Sequence, residues 1–104
     1  MNNFEELSFK TEFLKQYAYI EKDIEKMADS DEGCMLQTTL AGDTVVIVFS
    51  SYYGDERKVA IPKAIFNATE LSYLLHHYFL LRIYFTMNSE GKLIPLLKKK
   101  DMKK

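Results

Sequence analysis

The stretch Thr44-Val45-Val46-Ile47-Val48-Phe49-Ser50 constrains this chain more than any other. Its five consecutive apolar residues are β-branched or aromatic, which favours a strand over a helix. Both parities are apolar: Val45, Ile47 and Phe49 lie on one face, Val46 and Val48 on the other. A strand with one wet face alternates, so this pattern predicts cover on both sides. The flanking sequence has to supply that cover.

Strand signals lie on either side of the run. Met35–Leu40 alternates loosely, and Ala41-Gly42-Asp43 is a short hairpin connection in which Gly42 can take positive φ. Tyr52-Tyr53-Gly54-Asp55-Glu56 forms a second turn, and Arg57–Ile61 a third strand, which Pro62 stops because proline cannot donate to a ladder. These segments predict a three-stranded meander with the apolar strand in the middle. Farther on, Arg82–Met87 and Lys92–Leu97 read as a hairpin around the loop Asn88-Ser89-Glu90-Gly91, and Pro95 marks the last strand as an edge.

Two helices complete the pattern. Phe9, Phe13, Tyr17, Ile20, Ile24 and Met27 keep one apolar stripe on a 3.6-residue period, predicting one long first helix. Asn3 with Glu6 fits a capping box, and Ser8 and Thr11 are alternative caps. Gly33 ends the segment as the left-handed residue. The acids Asp29, Asp31 and Glu32 oppose the helix dipole there, a conflict that C-terminal lysines lying beside them would relieve. After the connection Pro62–Phe66, Asn67 with Glu70 predicts the cap of a second helix reaching about Leu80. Leu71, Leu74, Leu75 and Tyr78 form its inner face, and Tyr73, His76, His77 and Leu80 its outer one. The expected fold is α+β, in the order α-β-β-β-α-β-β. It has a five-stranded, mostly antiparallel sheet packed with two helices as a single domain over residues 1–97, and a lysine-rich tail over 98–104. Either the helices cover opposite sheet faces, or a second copy or a partner covers one of them.

A chain of 104 residues can bury roughly two thirds of its unfolded surface, enough for one core. No apolar run approaches the ~18 residues of a membrane span. The acids Glu5 and Glu6 near the start do not fit a secretory signal. Cys34 is alone, so it forms no internal disulfide and supports no cysteine zinc site; a reducing, cytoplasmic setting is expected. Phe, Tyr, Met, Ile, Asn and Lys are abundant. Their AT-rich codons point to an AT-rich bacterium or one of its mobile elements, where small single domains often act as accessories. Residues 1–56 hold twelve acids against four lysines, whereas residues 57–104 hold ten bases against three acids. Such a dipolar chain can neutralise itself in the fold or present a basic patch to an acidic partner.

Chemistry-bearing motifs are few. His76 and His77 are adjacent and point about 100° apart on a helix, so they do not chelate one metal. No GxSxG element singles out a serine, and the four glycines stand separately at turns, without a phosphate-cradling loop. No catalytic residue, metal or cofactor is expected, and the chain reads as a non-enzyme. Tyr73, His76, His77, Leu80, Tyr52 and Tyr53 have no core role, and exposed aromatic clusters mark interaction sites. The leading expectation is a protein-binding module: an inhibitor, adaptor or auxiliary subunit, with homodimerisation as one form of association. The alternative is a nucleic-acid-binding accessory using Arg57, Lys58, Lys63, Arg82, Lys92, Lys98, Lys99 and Lys100, with tyrosines for stacking.

Overall fold

The computed structural model describes residues 8–100. Its elements are α1 (Phe9–Tyr17), α2 (Glu21–Asp29), β1 (Cys34–Ala41), β2 (Thr44–Ser51), β3 (Glu56–Pro62), α3 (Ala68–His77), β4 (Leu81–Met87) and β5 (Leu93–Lys99). The class is α+β, and the five strands form one antiparallel sheet in the order β3-β2-β1-β5-β4. The meander is in register along its whole length, from Cys34↔Ser51 to Ala41↔Thr44 and from Thr44↔Pro62 to Ser50↔Glu56. Gly42 takes φ +63° at the first position of the β1–β2 turn, where a two-residue hairpin needs positive φ.

The expected single N-terminal helix is two helices. Tyr19 N and Ile20 N donate to Gln16 O and Tyr17 O, three residues back, a tightened turn that separates α1 from α2. No glycine or proline causes the break. A continuous helix of this length would run about 32 Å, whereas the bend lets α1 lie over β3 and α2 over β1, β2 and β5. The apolar stripe survives it, since Phe9, Phe13, Tyr17, Ile24 and Met27 are all buried. Ser8 caps α1, its Oγ accepting from Thr11 N at 3.4 Å; the alternative cap at Asn3 and Glu6 lies outside the described residues.

All buried strand side chains share one parity: Cys34 and Leu36, Val45, Ile47 and Phe49, Val59 and Ile61, Leu81 and Leu97. They form one core with the three helices, and the aromatic chain Phe9–Phe13–Tyr17–Phe79 runs through it at ring spacings of 5.5, 5.1 and 4.3 Å. Two-sided cover of β2 is therefore not achieved within the described chain. Val46 and Val48 are only half-buried, as are Met35, Ile94 and Leu96 on the same opposite sheet face.

Pro95 does not mark an edge strand. β5 lies between β1 and β4, but its ladder to β1 has only the pairs Cys34↔Leu97 and Met35↔Leu96. The β5 strand also continues through Lys98 and Lys99, the first residues of the expected tail. These lysines reach the end of α2. Lys98 Nζ donates to Ser30 O at 2.9 Å and Asp31 O at 2.6 Å, and Lys99 Nζ lies 3.5 Å from Asp29. The carbonyls after that helix end thus meet an ammonium, and of the three acids there Asp29 finds a cation in Lys99.

Candidate protein-binding site

The expected aromatic face of α3 is partly assembled. Tyr73 and His77 pack at 4.4 Å between ring centroids, and His76 and His77 at 4.7 Å. Leu80 does not join them. The helix stops at His77, and Leu80 turns the chain into β4 with φ +56°, a left-handed backbone uncommon for a branched side chain. Tyr78, expected inside, is half-exposed and packs on Tyr73 at 5.8 Å, with Lys10 Nζ 4.7 Å over its ring. Phe79 takes the inward place against Phe13 and Tyr17 instead. His76 is partly desolvated and faces Lys100, His77 and Arg82, which together hold its imidazolium pKa below the ordinary value. Tyr52 and Tyr53 lie elsewhere, paired edge to face at 5.3 Å on the β2–β3 turn. That turn is organised by buried Ser51, whose Oγ accepts from Tyr53 N and Asp55 N, both at 3.1 Å.

The eight basic residues do not gather into one patch, although Arg82 pairs with Lys98 across β4–β5 and lies with Lys100 near His76. Arg57 Nε bonds Asp23 at 2.8 Å, Lys58 lies 3.8 Å from Glu56, and Lys98 and Lys99 are engaged at the end of α2. Lys63 sits on the 3-10 turn after β3, Lys92 on the β4–β5 loop, and Arg82 lies 5.7 Å over Tyr84 on β4. Lys100 follows β5, its N–H donating to Leu80 O at 2.8 Å.

The most distinctive surface is one the sequence reading missed: a split in the sheet. Lys63 N donates to Asp43 O and Ser51 N to Asp55 O, so odd residues of β2 bond β3 and even ones bond β1. Carried through the register, this turns the amide groups of Leu36, Thr38 and Leu40 away from β2 and towards β5. The bonds Asn88 N–Lys92 O and Lys100 N–Leu80 O likewise turn Leu93, Pro95 and Leu97 towards β1. Pro95 thus stands where β5 should donate to Leu36 O, and it has no N–H. The ladder ends there, and β1 and the β4–β5 hairpin part.

The gap opens on both sheet faces. On the helix side a cleft of about 530 Å³ is lined by Leu36, Phe66, Leu71, Ile83, Phe85 and Pro95, with Thr38 and Ser72 as its polar margin. On the other side a cleft of about 470 Å³ is shared by Gln37, Asn88, Glu90, Lys92 and Ile94. Leu36, Thr38 and Pro95 line both, so the two clefts flank the same parting of β1 from β5. Beyond it Phe85, Met87 and Leu93 project from the hairpin, each about 65% exposed. The available signal was stripe length: Leu81, Ile83, Phe85 and Met87 carry one apolar parity farther than a ten-residue helix can cover.

Little reactive chemistry accompanies these surfaces. Cys34 is fully buried, and burial pushes its thiol up to about 12, far from the thiolate that a nucleophile requires. Among the described residues no group of three His, Cys, Asp or Glu side chains could hold a metal ion, and no helix is long and apolar enough to cross a membrane. No family model matches the chain, and neither a curated protein nor a solved structure matches it.

Proposed function

We propose that this chain is a small non-enzymatic protein-binding module, acting as an inhibitor, adaptor or auxiliary subunit of a larger protein in the cytoplasm. The observation that carries this reading is the apolar cleft beside β1, bordered by Phe85, Met87 and Leu93 on a projecting hairpin. Three large apolar side chains about two-thirds exposed in one hairpin are costly to keep in water, at roughly 25 cal/mol per Å² of apolar surface. Contiguous patches of this kind mark protein contacts. Tyr73, His76, His77 and Tyr78 form a second exposed aromatic patch on and just after α3.

The nucleic-acid alternative draws on less, because Arg57, Lys58, Lys98 and Lys99 are already engaged by Asp23, Glu56, the end of α2 and Asp29. A photo-crosslinking side chain at Phe85, with a control at exposed Lys22 on α2, tests the reading in the cells that make the protein. Discrete protein adducts from position 85 and none from position 22 are expected. Adducts to nucleic acid, or equal labelling from both positions, would overturn it.

A further inference from the structure

We propose that the slot between β1 and β5 receives an extended, uncharged peptide segment of a partner protein, which pairs with β1 as an added strand. This rests on the protein-binding reading and names the kind of partner. Several observations converge on a strand rather than on a helix or a small molecule.

The first is backbone hydrogen bonding. β1 continues to Ala41, yet its ladder to β5 stops at Met35↔Leu96. The Leu36 carbonyl and both amide groups of Thr38 and Leu40 therefore face the slot without a strand partner. Exposed sheet edges are templates for another strand, and strand addition supplies such groups in the spacing they require. The outer edge of the meander shows the contrast. At β3, Gln16 Nε2 donates to Ala60 O at 2.7 Å and Ala60 N donates to Gln16 Oε1 at 2.9 Å. The side-chain amide imitates one rung of a neighbouring strand there, so that edge is blunted while the edge of β1 is not.

The second is chemistry across the slot. A strand presents alternate side chains to opposite faces. One wall offers Leu36, Phe66, Leu71, Ile83 and Phe85 to apolar residues, and the other is mixed, offering Gln37 and Asn88 to polar ones beside Ile94. Glu90 and Lys92 are the charges among the lining residues and are opposite in sign, which favours a neutral segment alternating apolar and polar residues. The third is that Pro95 holds the slot open: without an N–H it cannot bond Leu36, so β5 does not zip onto the rest of β1.

The test is a selection on the immobilised full-length chain. The probe is a phage-displayed heptapeptide library in which apolar residues alternate with Ser, Thr, Asn or Gln. The enriched peptide, made with blocked ends, is titrated into the chain and followed by amide NMR. Thr38 and Leu40 are expected to show the largest shifts and to gain protection from hydrogen exchange. Methylating the peptide nitrogens one at a time is expected to weaken binding tenfold or more at every second position, and little between. Failure to enrich any peptide would overturn the proposal. So would shifts centred on Tyr73 or on the outer edge of β4, or a methylation profile without the two-residue period. Sedimentation showing a dimer of the chain that the peptide breaks would reassign the slot to a second copy. If strand addition fails while crosslinking from position 85 persists, the protein-binding reading stands and only the mode of recognition falls.

Discussion

The two halves of this sheet are built from similar residues and held in different ways. The meander β1-β2-β3 is paired rung by rung from end to end and carries α1 and α2 on its inner face. The β4–β5 hairpin is equally well paired within itself, but two rungs and its packing on α2 and α3 join it to the rest. Local opening free energy follows buried contacts and shared hydrogen bonds. The meander should therefore open only with the whole domain, and the hairpin more easily. Binding surfaces come from the second kind of region, and Phe85, Met87 and Leu93 are exposed there, although Leu40, Tyr52 and Tyr53 are also exposed on the meander.

The hardest test of that contrast is to damage the meander. Ile47→Ala removes a fully buried side chain from the middle of β2 and should cost about 3–4 kcal/mol of global stability, read by urea unfolding with all probes moving together. Separate transitions for the two halves would show that the meander does not govern the fold. Gly33→Ala attacks the join. Gly33 has φ +74°, and an added Cβ would meet Leu97 O at 2.9 Å, so a loss of about 2 kcal/mol or more is expected. Exchange protection should fall in β5 and β4 before it falls in β2. A uniform fall would mean that the two rungs bind the halves more firmly than their number suggests.

Smaller changes sharpen the picture. Lys98→Met keeps the side-chain stem and deletes the ammonium that bonds Ser30 O and Asp31 O. A loss of about 1 kcal/mol is expected in thermal unfolding, and no loss would show those bonds to be fully compensated by water. Tyr17→Phe removes a buried hydroxyl with no hydrogen-bond partner among the described residues. The same phenol is pushed well above its ordinary pKa by burial and then by Glu21. Its removal should be neutral or gain up to about 1 kcal/mol; a clear loss would mean that the hydroxyl is satisfied in solution. The slightest effect is one of pH. His76 has a lowered pKa in the fold, so the unfolded chain takes up its proton first. Stability is then full above about 6.5 and declines as pH falls from there towards the depressed value. Because Lys100 and Arg82 face His76, the decline should appear in opening energies of β4 and β5 at pH 5.5 relative to 7.5. In His76→Gln it should disappear.

Much of the fold was legible because local signals and global packing agree. The β-branched run of β2, glycine at the β1–β2 turn and Asn67, whose Oδ1 accepts from Glu70 N at 2.9 Å, each say locally what the fold requires. The break between α1 and α2 was not legible, since Tyr17-Ala18-Tyr19-Ile20 contains no helix breaker and the bend answers to the sheet beneath. Pro95 misled for a related reason. Its missing N–H was read correctly as the end of a ladder, but sequence does not say which neighbour is lost, and the strand proved to be internal. Of the aromatic face, Tyr73, His76 and His77 were legible from helical spacing. Tyr78 and Leu80 were not, because the helix stops before them.

The two rungs at Cys34↔Leu97 and Met35↔Leu96 also bear on time. They join the start of the first strand to the end of the last, across the whole span of the sheet in sequence. Helices and tight hairpins form in microseconds, whereas contacts this distant must first meet the entropy of closing a long loop. The meander and the hairpin should therefore each assemble early, and their junction should close late. During that interval the inner edge of β1 is open along its entire length, and a partner strand present during synthesis would meet it before β5 does.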